Sequence, residues 1–154
     1  GTFHFEDGIR VPMLVRWPGK VEAGARSPAI QNLVDLAPSF LSAAGIPVPR
    51  RMSGVNQLSV WTGRTQAVRD HTIVEKTHDP DQAVLRTYLD DRYKITVYQS
   101  FDCGEFFDLR EDPGETRNRW DDPAYAEQKA AVLHRFLQAE MKRDILPMPR
   151  IAGA

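Results

Sequence analysis

Cysteine is almost missing from this sequence: a single Cys103 in 154 residues. One thiol forms no intrachain disulfide and no four-ligand zinc site, so neither device staples the fold, and either redox compartment is compatible with it. Long apolar runs are missing too. No stretch approaches the roughly 20 residues that cross a bilayer, and the opening Gly1-Thr2-Phe3-His4-Phe5-Glu6-Asp7 has neither the basic start nor the apolar stretch of a signal peptide. The sequence therefore reads as soluble, without a membrane partner. There is no excess of positive charge, since 20 Lys and Arg stand against 21 Asp and Glu for a net charge of −1. That balance argues against a phosphate-backbone binder, and nucleic acid is not an expected partner. No Gly-rich phosphate loop, no Gly-x-Ser-x-Gly elbow, no Asp-x-Asp-x-Asp calcium loop and no internal repeat occurs. The first residue is Gly1 rather than methionine, which fits processing, a cloning scar or a cut out of something longer.

What is present can build a core: 42% of the residues are hydrophobic, in about one domain's length of chain. Residues 11–19 form a short, nearly continuous apolar run closed by Trp17-Pro18-Gly19, the pattern of a strand buried on both faces, which needs neighbours. Asp35 as N-cap, with Leu33, Ala37, Leu41 and Ala44 at helical spacing before Gly45 and Pro47, predicts a helix over 35–44. A proline-rich connection follows. Strands are expected over 72–76, 84–89, 92–98 and 105–109, the second and third joined by a tight turn at Asp90-Asp91, whose residues tolerate left-handed backbone. Within 92–98, Tyr93, Ile95 and Val97 alternate with Lys94, Thr96 and Tyr98, which predicts one buried face and one partly wet face. Pro113 and Gly114 supply the turn after the last strand. Asp122 and Pro123 then start a helix whose stripe of Tyr125, Lys129, Val132, Leu133, Phe136, Leu137 and Met141 should cover the sheet. Residues 70–145 thus close on themselves as an α+β unit, whereas residues 1–60 offer one two-sided strand and one helix, too little to bury each other.

The residues that could carry chemistry are few. Cys103 has no histidine near it in sequence and no helix N-terminus to lower its pKa, so it reads as a loop residue rather than a catalytic thiol. His4, His71, His78 and His134 match no metal spacing. His134 reads as a surface residue and His71 as structural. His4 and His78 lie in irregular segments beside acidic residues and are the candidate ligand-binding histidines. The pairs Asp90/Asp91, Glu111/Asp112 and Asp121/Asp122 sit at turns and caps, where the backbone favours acidic side chains.

Several segments, in order, resemble one family. Phe5-Glu6-Asp7-Gly8-Ile9-Arg10-Val11-Pro12, then an apolar strand and Trp17-Pro18-Gly19, is similar to a segment of type I, formylglycine-dependent sulfatases. Val34-Asp35-Leu36-Ala37-Pro38 with Ala44-Gly45-Ile46 resembles that family's Asp-Leu-Ala-Pro helix. Arg92-Tyr93-Lys94, Gly104-Glu105-Phe106-Phe107-Asp108-Leu109 and Asp112-Pro113-Gly114-Glu115 resemble its C-terminal sheet. Asn118-Arg119-Trp120 and the closing Leu146-Pro147-Met148-Pro149-Arg150 are similar to the tail of arylsulfatase-like bacterial members.

The resemblance implies an α/β fold: the C-terminal part of an alkaline-phosphatase-like sulfatase, with a small antiparallel sheet covered by a long C-terminal helix. Residues 1–69 would be a piece of the large α/β domain plus a connection, and residues 70–154 the small α+β subdomain. It also implies a sulfuric ester hydrolase whose intact form carries calcium and a formylglycine made from Cys-x-Pro-x-Arg. Cys103 is followed by Gly104-Glu105-Phe106, and no Asp and Asn metal cluster is evident, so no catalytic residue and no metal ligand is assigned within these residues. The family's lysine ahead of the aromatic-Glu motif would fall at or immediately before Gly1. The chain is thus expected to be inactive alone, with the missing N-terminal sulfatase region as its partner, a small sulfate ester as substrate, and bacterial cytoplasm or periplasm as compartment. His4 and His78 would be substrate-binding, one on each side of the pocket, and Glu6 and Arg10 a local charge pair supporting the loop. Two other readings stand beside this one: a phosphonate or phosphodiester hydrolase of the same superfamily, and a non-catalytic binding or assembly module.

Overall fold

The computed structural model describes residues 4–77 and 83–143. The chain starts with one helical turn, α1 (Glu6–Ile9), whose acidic first turn carries Glu6 and Asp7. Residues 10–16 are irregular, with Val11 and Met13 exposed and Leu14 98% exposed. The two-sided strand expected over 11–19 is therefore not formed among the described residues. Its pattern demands a strand on either side, and the strands of this chain pair with one another instead.

A 3-10 turn, Leu33–Asp35, runs into α2 (Leu36–Ala43). The cap is Asn32, not Asp35: the Asn32 side chain accepts from the Val34 amide, and the Asp35 carboxylate accepts from the Asn32 amide. Gly45, with φ of 72°, ends the helix, and the Ile46 amide donates back to the Leu41 carbonyl. A short helix, α3 (Leu58–Trp61), follows, with the Trp61 ring 6.0 Å from that of Phe40.

The remainder is a meander of β1 (His71–Lys76), β2 (Leu85–Asp90), β3 (Tyr93–Tyr98) and β4 (Gly104–Asp108), all antiparallel and in sequence order. The β2–β3 hairpin is closed by the Asp90 carboxylate, which accepts from the amides of Arg92 and Tyr93 at 2.9 and 2.7 Å. That side chain does the work that left-handed backbone was expected to do, and residues 90–92 keep negative φ. After β4 the positive φ belongs to Glu115, at 54°, and not to Gly114. Finally α4 (Ala126–Arg143) is entered through Pro123, with the Asp122 side chain accepting from the Ala124 amide.

Because cross-strand partners share a face, the row Ile73, Tyr88, Ile95, Phe106 faces one way. Helix α4 packs on it through Val132, Phe136 and Ala139 to make the core. The buried stripe is narrower than the sequence pattern suggested, since Leu137 and Met141 are 58% and 55% exposed.

Candidate functional site

The other face of the same sheet is unusual in composition. Its rows are Thr72, Leu89, Lys94, Phe107 and then Val74, Thr87, Thr96, Glu105, with Lys76, Leu85 and Tyr98 beyond. A polar face on a small meander is ordinarily wetted, yet Thr87, Thr96 and Lys94 are all at most 1% exposed and Lys76 is buried. The expectation of a partly wet second face therefore fails. What covers it is the start of the chain.

Three consecutive residues stitch residues 4–6 to this face. His4 is buried and its Nδ1 lies 2.8 Å from Thr87 Oγ1, which in turn is 2.8 Å from Thr96 Oγ1. The Phe5 ring packs against that of Phe107 at 6.1 Å. The Glu6 amide donates to Glu115 Oε2 at 2.6 Å. Lys94 Nζ completes the cluster, 2.5 Å from Glu115 Oε1 and 3.4 Å from Glu6 Oε1, with the Lys94 and Glu115 side chains 1% and 3% exposed. Glu6 thus pairs with Lys94, and not with Arg10 as the sequence suggested. Glu115 holds a left-handed backbone that a non-glycine residue adopts at a cost, and its carboxylate is what the cluster is built around.

The electrostatics follow from the burial. Desolvation first, then the charges of Lys94 and Lys76, hold the His4 imidazole below its ordinary pKa, so the ring is neutral near pH 7. Burial and the neighbouring Glu105 push the Tyr98 hydroxyl well above its usual value. A neutral histidine fixed through Nδ1 can donate or accept at Nε2, whichever the tautomer allows. Beside the cluster lies a shallow groove of about 400 Å³ lined by Glu6, Asp7, Arg10, Leu109 and Pro113.

A second buried knot lies at Asp35, 1% exposed, which accepts from the Val55 amide, from Gln57 Nε2 and from Arg69, the last at 2.5 Å. It ties the start of α2 to the connection after it and to the entry of β1. The other candidates fall as follows. His71 sits between Asp70, 2.6 Å away, and the Tyr88 ring, a structural place; His134 is exposed on α4. His78 lies outside the described residues. Cys103 is exposed before β4, and among the described residues no group of three or more His, Cys, Asp or Glu could hold a metal ion. Sequence reading passed over Lys94, Thr87, Thr96 and Glu115; the available signal was a lysine and threonines in the middle of strands with apolar neighbours.

The comparisons with known proteins agree with one another. The family model of N-sulphoglucosamine sulphohydrolase, C-terminal, matches residues 2–143. An N-acetylglucosamine-6-O-sulfatase of Bacteroides thetaiotaomicron is 29% identical over 138 residues, covering 85% of this chain and 25% of the relative. A Delta 4,5-hexuronate-2-O-sulfatase of the same organism is 29% identical over 140 residues, 86% of this chain and 28% of the relative. This chain therefore spans about a quarter of the length of these relatives. Among solved structures, one in complex with its substrate D-glucosamine-2-N,6-O-disulfate superposes with a TM-score of 0.73 at 24% identity, over 84% of this chain and 28% of the other. A phosphonate monoester hydrolase from Silicibacter pomeroyi does so with a TM-score of 0.71 at 23% identity, over 83% and 28%. Both likenesses bear on the fold, which the two activities share. With a sheet-and-helix unit of this architecture and a family match running from residue 2 to the end of α4, the chain belongs to the sulfatases, in the C-terminal family of the N-sulphoglucosamine sulphohydrolases.

Proposed function

We propose that the chain works as the C-terminal part of a sulfatase that hydrolyses sulfate esters on sugars, with the nucleophile and metal ligands contributed by protein outside these residues. The observation that carries this is the family match over 2–143, joined by relatives that act on sulfated sugar residues. The chain's own contribution is structural and positional. Its α+β unit supplies a rigid platform, and residues 4–6 lie on that platform immediately after the place where the family resemblance sets a lysine. Fixed cations near a transferring sulfuryl group neutralise charge as it develops, and their value depends on being held in place.

His4 stands in this reading as a pocket residue held by Thr87 through Nδ1, and His78 as its counterpart on the β1–β2 connection. The test is to assay the longer protein that contains this chain against an aryl sulfate, glucosamine 6-sulfate and an aryl phosphonate, beside the 154 residues alone. Turnover of the sulfate esters by the longer protein, and none by the 154 residues, is expected. Turnover of the phosphonate alone would transfer the assignment to the phosphonate hydrolases, and turnover of neither would favour a binding module. In the longer protein His4→Ala and His78→Ala are each expected to lower kcat at least tenfold, about 1.4 kcal/mol of barrier. An unchanged rate removes the residue concerned from the pocket.

A further inference from the structure

We propose that Thr87 and Lys94 are positioning residues: with Thr96 and Glu115 they clip residues 4–6 to the sheet and so fix where His4 stands for its role in the pocket. The proposal rests on the sulfatase reading for what His4 does, and on geometry alone for the clip. Three neighbouring residues make contacts with four different parts of the small unit: His4 with β2, Phe5 with β4, Glu6 with β3 and with the loop after β4. Sequence separations of 83 to 109 residues are spanned by these contacts, so the clip is tertiary and not a local turn. The partners are themselves rigid. Thr87 and Thr96 are directly paired across β2 and β3, and Lys94 lies on the same strand as Thr96 and the same face.

The ion pair is also specific. Lys94 is withdrawn from water, so removing Glu115 would leave the buried cation only the more distant and more exposed Glu6 carboxylate, 3.4 Å away, and Glu115 meets it from a left-handed backbone. Replacing Thr87 by valine would replace the central hydroxyl by a methyl of similar size and leave the His4 ring without its partner. The Thr87 hydroxyl is engaged by His4 and Thr96, and the Lys94 ammonium by Glu115 and Glu6. Their effect on the reaction must pass through residues 4–6.

The clip carries a pH signature. The charged and titratable groups around His4 are Lys94 on β3, Lys76 on β1, Glu6 on α1 and Glu115 in the loop after β4. Protonating His4 would add a third cation beside the two lysines. Its pKa is lowered in the clipped state, so a released His4 binds the proton more readily. The clip is therefore full above the ordinary imidazole pKa of about 6.5 and weakens as pH falls through it.

The experiment uses the longer protein and reads hydrogen exchange at the amides of residues 5–10 against those of β2 and β3, together with kcat and KM. Thr87→Val, and separately Lys94→Met combined with Glu115→Gln so that no lone charge is buried, should speed exchange at 5–10 at least tenfold with β2 and β3 still protected. kcat for the sulfate ester should fall at least fivefold, with KM within about twofold, and Lys94→Arg should recover part of it. Between pH 7.5 and 5.5 the wild-type segment should lose protection beyond the intrinsic change in exchange rate, and His4→Gln should abolish that extra loss. Unchanged exchange at 5–10 in both variants overturns the clip, as does loss of protection throughout β2 and β3, which would make these residues part of the sheet's own stability. Loosened exchange with kcat unchanged overturns the positioning role. A longer protein with no sulfatase activity at all counts against the proposed function, and the exchange result then decides the clip by itself.

Discussion

Buried polar residues in this chain work in closed sets, and Asp35 shows what one such residue can organise. Its carboxylate takes the Asn32 amide, the Val55 amide, the Gln57 side chain and the Arg69 guanidinium, so three separate stretches of chain, 32–35, 55–57 and Arg69, meet at two oxygens. Asp35→Ala would leave the largely buried Arg69 side chain without its counterion, and breaking a buried pair in this way costs about 3 to 5 kcal/mol. A close neighbour makes a contrasting case. A Cβ at Gly54 would overlap the Val34 carbonyl, which is backbone and has no rotamer to yield. Gly54→Ala should therefore cost about 1 to 3 kcal/mol by overpacking alone. Thermal unfolding of the longer protein checks both, with Asp35→Ala expected to lower Tm more than Gly54→Ala. The reverse order would mean that Arg69 finds another acceptor, and an unchanged Tm in both would remove the knot from the folded state.

At the scale of the element, α4 holds to the sheet by a narrow apolar line with ion pairs along its flanks. Val132, Phe136 and Ala139 are buried against Tyr88, Ile95 and Phe106, while Arg135 meets Asp90 at 3.1 Å, Glu140 meets Arg86 at 2.9 Å and Arg143 meets Glu75 at 2.8 Å. Pairs as exposed as these contribute about 0.2 to 1 kcal/mol each, so the apolar line decides the docking. Phe136→Ala should cost about 3 to 5 kcal/mol, and Leu137→Ala, one residue on, should stay within about 0.5 kcal/mol. Equal losses in a denaturant titration would show that the helix is rotated from the orientation described. The sequence pattern led to a wider stripe because Leu137 and Met141 satisfy helical spacing, while the narrow sheet leaves them uncovered.

The meander and the helix start were legible for a physical reason, since alternation, Asx turns and caps act within a few residues. The second sheet face was not. Lys94 and Thr96 look wet in sequence, and their burial depends on His4 to Glu6, 83 residues or more away. The Asn32 cap was missed likewise because Asp35 is itself a cap residue by type, and its diversion into a tertiary knot is invisible locally.

At the scale of the whole molecule, the two halves differ in what they bury. Residues 70–143 close over a core, whereas the first half leaves Val11, Met13, Leu14, Leu33, Val34 and Phe40 exposed. Monomeric proteins rarely show so many large apolar side chains in so short a length of chain, and such surfaces mark interaction sites. The sequence of residues 11–15 also has the pattern of a strand buried on both faces, a pattern that is satisfied once strands flank it. No helix among the described residues is long and apolar enough to cross a membrane. The sulfatase relatives, about four times as long as the matched region, contain enough additional chain to cover these side chains. Leu14 is the sharpest probe, because it is 98% exposed here and central in the run. Leu14→Asp should make the 154 residues less prone to associate, read as a shift toward the monomer in sedimentation. In the longer protein the same change should bury a charge between strands and lower Tm sharply, with loss of soluble yield. If the longer protein tolerates Leu14→Asp without a change in Tm, residues 11–15 are a surface segment there as well, and the first half of the chain must be covered by some other contact.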